Sequence, residues 1–207
     1  MGFLAALRFL TIIPLPRVRE TTSEEIGRSL AYFPLVGLLI GLILFGIDKG
    51  LAEILPSFVG SAVLLIALLV LTGANHLDGF IDTCDGLVAG RTPQQRWEIM
   101  RDSRVGAFGV IGACSFLILK YVSLAGVPES SRMEALILMP VLGRCAAVWA
   151  IFAFPYARPQ GLGRVFKDHV TWPAVALATV EALAVSIGFL EFTGLAVMFE
   201  VGLVTFG

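Results

Sequence analysis

The sequence predicts an all-α protein, a multi-pass transmembrane helical bundle with short interfacial and cytosolic helices. Of its 207 residues, 57% are hydrophobic and only 15% are charged, and the mean hydropathy is +0.88. A soluble domain has roughly 45–50% apolar and about 25% charged residues, so a soluble core does not account for this composition. The apolar residues are gathered into runs that approach the ~20 residues needed to cross a bilayer. We therefore expect a single integral-membrane domain over residues 1–207.

The first element, within residues 1–22, is expected to lie at the membrane interface. Leu4, Leu7 and Leu10 recur at helical spacing, which predicts a short amphipathic helix. The apolar stretch is too short to span a bilayer. The proline at position 14 is expected to end this helix.

Six longer apolar runs predict the membrane spans. They lie near residues 31–47, 54–77, 105–119, 136–154, 172–190 and 192–207. Thr22 and Glu25 form a capping-box spacing that predicts a helix start before the first span. Arg144 interrupts the fourth span, and a charge inside a span is a site hypothesis by default.

Lysine and arginine residues are distributed unequally between the two ends of these spans. Eleven fall before the first, after the second and after the fourth span, whereas three fall at the opposite ends. By the positive-inside rule, the N-terminus and the two long basic loops are expected in the cytoplasm.

Charge and cysteine content exclude two further classes of protein. The net charge of −1, without a basic tail, argues against nucleic-acid binding. Cys84, Cys114 and Cys145 are widely spaced and form no C-x-x-C pair, so a disulfide framework is not expected.

A row of aspartates follows the second predicted span. Asp78, Asp82 and Asp85 are separated by four and three residues, which places them within about a 60° arc of one helical face. Asn75, three residues before the first aspartate, shares that face and is expected to line the site. Like charges this close repel, and a cation between them relieves the repulsion. Carboxylate oxygens at the membrane edge suit Mg²⁺ or Mn²⁺.

His76 permits two interpretations. It is a candidate general base or metal ligand. It also lies about 200° around the helix from Asp78, and this position suits a hydrogen-bonded interfacial histidine facing away from the acids.

A second cytosolic helix is predicted after the aspartates. Thr92 with Gln95 forms a capping box, and a proline stands at the first helical position. The helix is expected to continue so that Glu98 and Asp102 share a face. Arg101, Asp102, Ser103 and Arg104 follow at the entrance to the third span, where guanidinium groups match phosphate oxygens and the carboxylate can complete a metal site.

The loop after the fourth span has the sequence YARPQGLGRVFKDH. Arg158, Arg164 and Lys167 surround two glycines and form a candidate clamp for an anionic substrate. On composition alone, an ordinary positive-inside loop is the better interpretation of the same charges.

Acids that hold a divalent metal, next to arginines at a membrane surface, point to phosphoryl transfer. In that chemistry the metal neutralises charge on phosphate oxygens and the protein positions the reactants. The sequence contains no Walker A, G-x-G-x-x-G or H-E-x-x-H motif, so metal and arginine are expected to hold the phosphates.

The run GANHLDGFIDTCDGL, Gly73–Leu87, resembles the signature of the cobalamin synthase family, the adenosylcobinamide-GDP ribazoletransferases. Four other stretches resemble the same family and occur in its order. They are LRFLTIIPLPR, AYFPLVGLLIG, EIMRDSRVGAFG and YARPQGLGRVF. The family's C-terminal helix and its glycine-rich T-G-D segment have no counterpart in these 207 residues.

The resemblance implies a multi-pass enzyme of the prokaryotic inner membrane with a cytoplasmic active site. It implies Mg²⁺-dependent joining of adenosylcobinamide-GDP to α-ribazole or its 5′-phosphate, which yields adenosylcobalamin or its phosphate and GMP. Contact with membrane lipid and self-association are compatible with this activity. The resemblance implies roles for the following residues. The metal ligands are Asp78, Asp82, Asp85 and Asp102, the pyrophosphate contacts are Arg101, Arg104 and Arg158, and the base is one of the acids, with Asp82 favoured, or His76.

Two alternatives use the same acids. The wider resemblance is to CDP-alcohol phosphotransferases, although this sequence lacks their alanine-arginine pair after the first aspartates. A cation transporter is the third hypothesis, and it requires acids near the middle of several spans. Here the acids cluster at one predicted cytosolic edge, which argues against transport.

Overall fold

The computed structural model describes residues 2–15, 22–157 and 161–207. Within these ranges the chain is helical and contains no strand, which confirms the predicted all-α class. The α-helices are α1 Gly2–Leu10, α2 Ser23–Ser29, α3 Phe33–Ala52, α4 Ser57–Leu71, α5 Asn75–Ala89, α6 Pro93–Ile99, α7 Ala107–Ala125, α8 Arg132–Ala153, α9 Leu162–His169, α10 Trp172–Leu190 and α11 Thr193–Phe206.

Four described helical segments are long and apolar enough to cross a membrane. They are Ser23–Ala52, Ala107–Ala125, Glu129–Ala153 and Trp172–Leu190, and they cover the predicted spans 31–47, 105–119, 136–154 and 172–190 closely. The predicted span 192–207 corresponds to α11, Thr193–Phe206, whose 14 residues are too few for it to count among the candidate spans. The multi-pass membrane architecture therefore agrees with the sequence prediction.

The predicted span over residues 54–77 is not one straight helix. Helix α4 ends at Leu71, α5 begins at Asn75, and the two axes differ by 90°. Between them, Gly73 and Ala74 adopt left-handed backbone with φ of 61° and 54°. This backbone breaks the hydrogen-bond ladder, because consecutive left-handed residues cannot continue a right-handed helix. The pair counts as a fifth span only if it is a single broken one.

The helices divide into two compact units. The first contains the described residues of 1–49 and 128–207, and in it α3 crosses α8 at close range. Gly37 and Gly41 face the backbone of Pro140 and Ile137, and a Cβ on either glycine would lie within 2.7 Å of α8 backbone atoms. Small residues at such positions let membrane helices approach closely.

The capping box of α2 and the end of α1, both in this first unit, were predicted correctly. Thr22 caps α2 through the full capping box with Glu25. Helix α1 ends at Leu10, before the proline that was expected to stop it.

Lys167 Nζ donates to the last carbonyls of α8, those of Ile151 at 3.0 Å and Phe152 at 2.7 Å. A lysine suits this position because helix C-termini present unpaired carbonyls.

The second unit contains Gly50–Val127 and therefore α4 to α7. Helix α5 packs along α7, and α6 packs on α5. Gly86 faces Met100, and Gly90 faces Arg96, so α6 and the residue that follows it lie close to α5 at two glycines. Every described acid of the predicted metal site lies in this unit.

Candidate active site

Helix α5 carries the three neighbouring aspartates of the predicted site. It starts directly after the left-handed turn, and a helix of 15 residues places Asp78, Asp82 and Asp85 on one face, as predicted. Their exposure decreases along the helix: Asp78 is exposed, Asp82 is half-buried, and Asp85 is 6% exposed. The face therefore runs from open surface into the packed junction with α7.

The carboxylate of Asp85 is bonded to the backbone of α7. Its Oδ2 accepts the Gly106 N–H at 2.8 Å, and its Oδ1 accepts the Gly109 N–H at 2.8 Å. A buried carboxylate requires such partners, because an unpaired charge away from water is costly. Its predicted metal role stays a prediction, and in the structure both oxygens already have donors.

Glycines at the start of α7 make this contact geometrically feasible, and their role was not predicted from the sequence. A Cβ on Gly106 or Gly109 would collide with the Asp85 carboxylate, and one on Gly112 would lie 2.5 Å from Cys84 Sγ. The signal was present as glycines at every third position, which is typical of a helix face packed closely on another helix.

Asp102 lies in the loop between α6 and α7. Helix α6 starts at the predicted Thr92–Gln95 capping box but ends at Ile99, so the expected sharing of a helical face by Glu98 and Asp102 was wrong. The loop instead folds around the aspartate. Arg104 donates to it from Nε at 3.0 Å, from Nη2 at 2.6 Å and from the backbone N–H at 3.0 Å.

This pairing changes the acidity of the loop carboxyl. The side-chain hydrogen bond from Arg104, followed by its backbone N–H, lowers the pKa of Asp102 from 3.8 to about 2. The same contact raises the pKa of the Arg104 guanidinium. The two groups therefore form a charged pair throughout the neutral range.

The remaining predicted residues lie at exposed positions or outside the described ranges. Asn75 and His76 form the exposed first turn of α5, and Arg101 is exposed in the loop after α6. Arg158 lies outside the described residues. The structure thus brings Asp78, Asp82 and Asp85 onto one helix and joins Asp102 to Arg104.

Arg144, the charge predicted within a span, lies in the first unit. Among the described residues, its Nε is buried and has no hydrogen-bond partner, and Oε2 of Glu181 on α10 is in the same condition. A buried unpaired polar atom has a desolvation cost, which marks both positions as unusual.

The arrangement of the acids limits the kind of metal site that they can form. Within the described ranges, no three His, Cys, Asp or Glu side chains are arranged so that they could hold one metal ion. Mg²⁺ does not require such a cage, because it keeps several waters and binds through one or two carboxylates plus substrate phosphates. Asp78 and Asp82, one helical turn apart, supply two carboxylates, and neighbouring Cβ atoms at this spacing lie about 5–6 Å apart.

Comparison with known proteins gives consistent matches. A family model described as Cobalamin-5-phosphate synthase matches residues 2–207. The adenosylcobinamide-GDP ribazoletransferase of Roseiflexus sp. is 42% identical over 182 residues, which are 88% of this chain and 68% of that protein. No solved structure matches the chain.

Two further relatives carry the same name. The adenosylcobinamide-GDP ribazoletransferase of Desulfitobacterium hafniense is 46% identical over 166 residues, covering 79% of this chain and 65% of the relative. That of Fusobacterium nucleatum is 37% identical over 199 residues, covering 91% and 71%. The chain therefore spans about two thirds of the length of these curated relatives.

These matches favour the hypothesis of a ribazoletransferase over the hypotheses of a CDP-alcohol phosphotransferase and a cation transporter. The predicted resemblance is confirmed across nearly the whole chain, including the acidic helix α5 and the loop of Asp102. The chain belongs to the cobalamin-5-phosphate synthase family, a family of membrane transferases in cobalamin biosynthesis.

Proposed function

We propose that the chain joins adenosylcobinamide-GDP to α-ribazole or its 5′-phosphate, the reaction for which its relatives are named. A ribazole hydroxyl oxygen forms a bond to the corrinoid-linked phosphorus. The bond from this phosphorus to the GMP oxygen breaks, so the products are adenosylcobalamin, or its phosphate, and GMP. The hydroxyl proton passes to a base on the protein.

The observation that carries the proposal is the pair Asp78 and Asp82 on the open part of the α5 face. Two carboxylates one turn apart provide the oxygen ligands that Mg²⁺ takes together with a diphosphate. When Mg²⁺ is bound, it neutralises charge on the phosphate oxygens. Neither carboxylate is as deeply packed as Asp85, so a large substrate has access to them.

The four predicted metal acids have different roles in this proposal. Asp78 and Asp82 are the ligands, because they lie on the accessible part of the face. Asp102 holds Arg104 in the loop, and both Asp85 oxygens accept backbone amides. These two acids therefore shape the site rather than enter the metal's ligand shell.

The substrate contacts follow from charge and exposure. Arg101 and Arg104 are exposed and provide guanidinium groups for the diphosphate, and Arg158 is proposed for the same role from the sequence alone. Asn75, in the first turn of α5, is proposed as a further polar contact to the substrate. The base is Asp82 or, as the alternative, a ring nitrogen of His76.

We also place the N-terminus and the active site in the cytoplasm of a prokaryotic cell with the helices in its inner membrane. The asymmetry of eleven basic residues against three supports this orientation. Contact with membrane lipid and self-association are part of the same proposal.

The test is turnover of adenosylcobinamide-GDP by membranes that contain Asp78→Asn or Asp82→Asn protein. We expect each substitution to lower kcat/KM by roughly 10²–10⁴-fold, because a ligand or proton acceptor is lost while the side-chain shape is kept. Glu53→Gln is the matched control, since it makes the same chemical change at an exposed carboxylate outside the site.

The assay is run across Mg²⁺ concentrations with equal amounts of membrane-inserted protein. Activity of the Asp78 and Asp82 variants equal to that of the Glu53 variant would overturn the assignment. Conversion of a CDP-alcohol substrate instead of the corrinoid in the same preparation would overturn the proposed substrate class.

A further inference from the structure

Helix α7 receives its N-terminal cap from another helix. Its N-cap residue is Gly106, which has no side chain to accept from the first-turn amides. An N-cap side chain normally accepts from the N–H of the second or third helical residue. Here the acceptor is Asp85 of α5, which takes the Gly106 N–H and the Gly109 N–H at 2.8 Å each.

Two glycines leave the space that the Asp85 carboxylate occupies. A Cβ on Gly106 or Gly109 would occupy the space of the carboxylate. A capping serine or aspartate at position 106 therefore cannot replace the contact while Asp85 is present. The negative charge also lies at the N-terminal end of α7, where the helix dipole favours it. The aspartate and the two glycines are complementary parts of one contact.

This contact determines the rotation of α5 about its own axis. A helix turns 100° per residue, so Asp82 lies about 60° and Asp78 about 20° around α5 from Asp85. The three residues span about 10.5 Å along the helix. When Asp85 is held against α7, the directions of Asp78 and Asp82 are set with it.

We infer that Asp85 is a positioning residue that caps α7 from α5 and thereby orients Asp78 and Asp82, rather than a ligand of the metal. The inference rests on the proposed role of Asp78 and Asp82 in substrate and metal binding. It separates the acids of one motif into two that bind and one that sets their direction.

The first test compares variants on the two sides of the contact. Asp85→Ala removes the acceptor, and Gly109→Ala fills its space without altering any group able to bind a metal. We expect both to lower kcat about tenfold or more, because small misplacement of reacting groups is costly. We expect the Mg²⁺ concentration for half-maximal rate to stay within about twofold of the parent's value.

Asp85→Asn serves as the conservative variant in case the alanine variants fold poorly. It retains one carbonyl acceptor and is expected to recover part of the kcat that Asp85→Ala loses. Gly46→Ala on α3 is the matched glycine control, because a Cβ there meets nothing within 4 Å. A Gly109→Ala variant as active as Gly46→Ala would overturn the inference.

Two measurements do not depend on turnover. Hydrogen exchange of the amides at 106 and 109 is expected to accelerate in Asp85→Ala, because their acceptor is gone. Mn²⁺ binding, followed by electron paramagnetic resonance, is expected to persist in Asp85→Asn and to weaken in Asp82→Asn. Loss of Mn²⁺ from Asp85→Asn with unchanged amide exchange would make Asp85 a ligand and overturn the inference.

The double variant Asp85→Ala with Gly109→Ala tests the contact itself. Removal of the carboxylate makes room for the new methyl group, so the two losses of thermal stability are expected to be less than additive. Additive losses would show that the two positions act separately and would contradict the inference. Failure of the proposed function would give a different result. The Asp78 and Asp82 variants would keep full activity, while exchange of the amides at 106 and 109 would still accelerate in Asp85→Ala.

Discussion

Asp48 of α3 and Arg132 of α8 form a buried ion pair, in which Arg132 Nε donates to Asp48 Oδ1 at 2.8 Å. The two side chains are 10% and 5% exposed, so neither charge is well solvated. A buried charge without its partner is strongly destabilising, whereas the intact pair contributes little relative to apolar residues. The pair thus joins two helices of the first unit at separate points of the sequence.

Asp48→Ala is expected to destabilise the protein by roughly 3–5 kcal/mol, because it leaves the Arg132 guanidinium without its carboxylate. The measurement is the unfolding of purified protein in detergent. Glu24→Gln is the control: its pair with Arg28 is 3.8 Å long and 74% exposed on both sides, so a change within about 0.5 kcal/mol is expected.

The double variant Asp48→Leu with Arg132→Met tests whether apolar side chains can replace this ion pair. Apolar residues of similar volume commonly replace a buried pair at little or no cost. We expect the double variant to be more stable than Asp48→Ala alone. A double variant that is less stable would show that the charges stabilise the fold directly.

The left-handed turn between α4 and α5 predicts opposite effects at adjacent positions. Gly73 has φ of 61°, where a side chain costs about 1–2 kcal/mol, so Gly73→Ala is expected to destabilise the fold by about this amount. Ala74 has φ of 54°, and Ala74→Gly removes that strain at the expense of unfolded-state entropy. Thermal unfolding in detergent is expected to give a lower midpoint for the first variant and an unchanged or higher one for the second.

Gly46→Ala also provides the baseline for this comparison, since its Cβ meets nothing within 4 Å and alanine favours helix. Equal midpoints for Gly73→Ala and Gly46→Ala would contradict the left-handed turn.

The pair of Asp102 and Arg104 predicts a dependence on acidic pH. Hydrogen bonds from Arg104 lower the pKa of Asp102 to about 2 in the folded state, from 3.8. Because the folded pKa is the lower one, the stabilising effect is present above pH 3.8 and is lost as the pH falls toward 2.

The direct measurement is the titration of the Asp102 carboxyl carbon by NMR in a nanodisc. We expect a midpoint near 2 in the parent and a midpoint shifted toward 3.8 in Arg104→Gln. Arg101→Gln is the matched control, because this guanidinium is not among the causes that lower the pKa of Asp102. An unchanged midpoint in Arg104→Gln would contradict the hydrogen-bonded pair.

The crossing of α3 and α8 predicts which glycines tolerate a methyl group. At Gly37 and Gly41, a Cβ would lie 2.5 and 2.7 Å from backbone atoms of α8, and backbone cannot move aside as a flexible side chain can. Each alanine substitution is expected to destabilise the fold by about 1–3 kcal/mol through overpacking. Thermal unfolding beside Gly46→Ala checks this, and indistinguishable midpoints would contradict the close crossing.

Much of the local structure could be predicted because its causes are local. In the capping boxes at Thr22 and Thr92, the hydrogen-bonded partners are three residues apart, so both partners can be identified from the sequence. The apolar runs that became α3, α7, α8 and α10 were recognisable from length and composition. The shared face of Asp78 and Asp82 followed from helical periodicity alone.

The errors arose where a break in the helix interrupts a pattern that has helical spacing. The apolar run 54–77 continues without a charge, and only the left-handed backbone of Gly73 and Ala74 ends α4 at Leu71. Glu98 and Asp102 have helical spacing, but the donors of Arg104 draw the aspartate into a loop. Periodicity describes a face only while the helix continues.

Hydrophobic length, periodicity and motif are properties of neighbouring residues. The helical membrane class, the family and the position of an acidic face were therefore predictable from the sequence. The hydrogen-bond partners of Asp85 on that face depend on the tertiary fold. The amides that bind Asp85 come from Gly106 and Gly109, more than twenty residues away. Whether a carboxylate meets solvent or the end of another helix depends on packing, which no local spacing encodes.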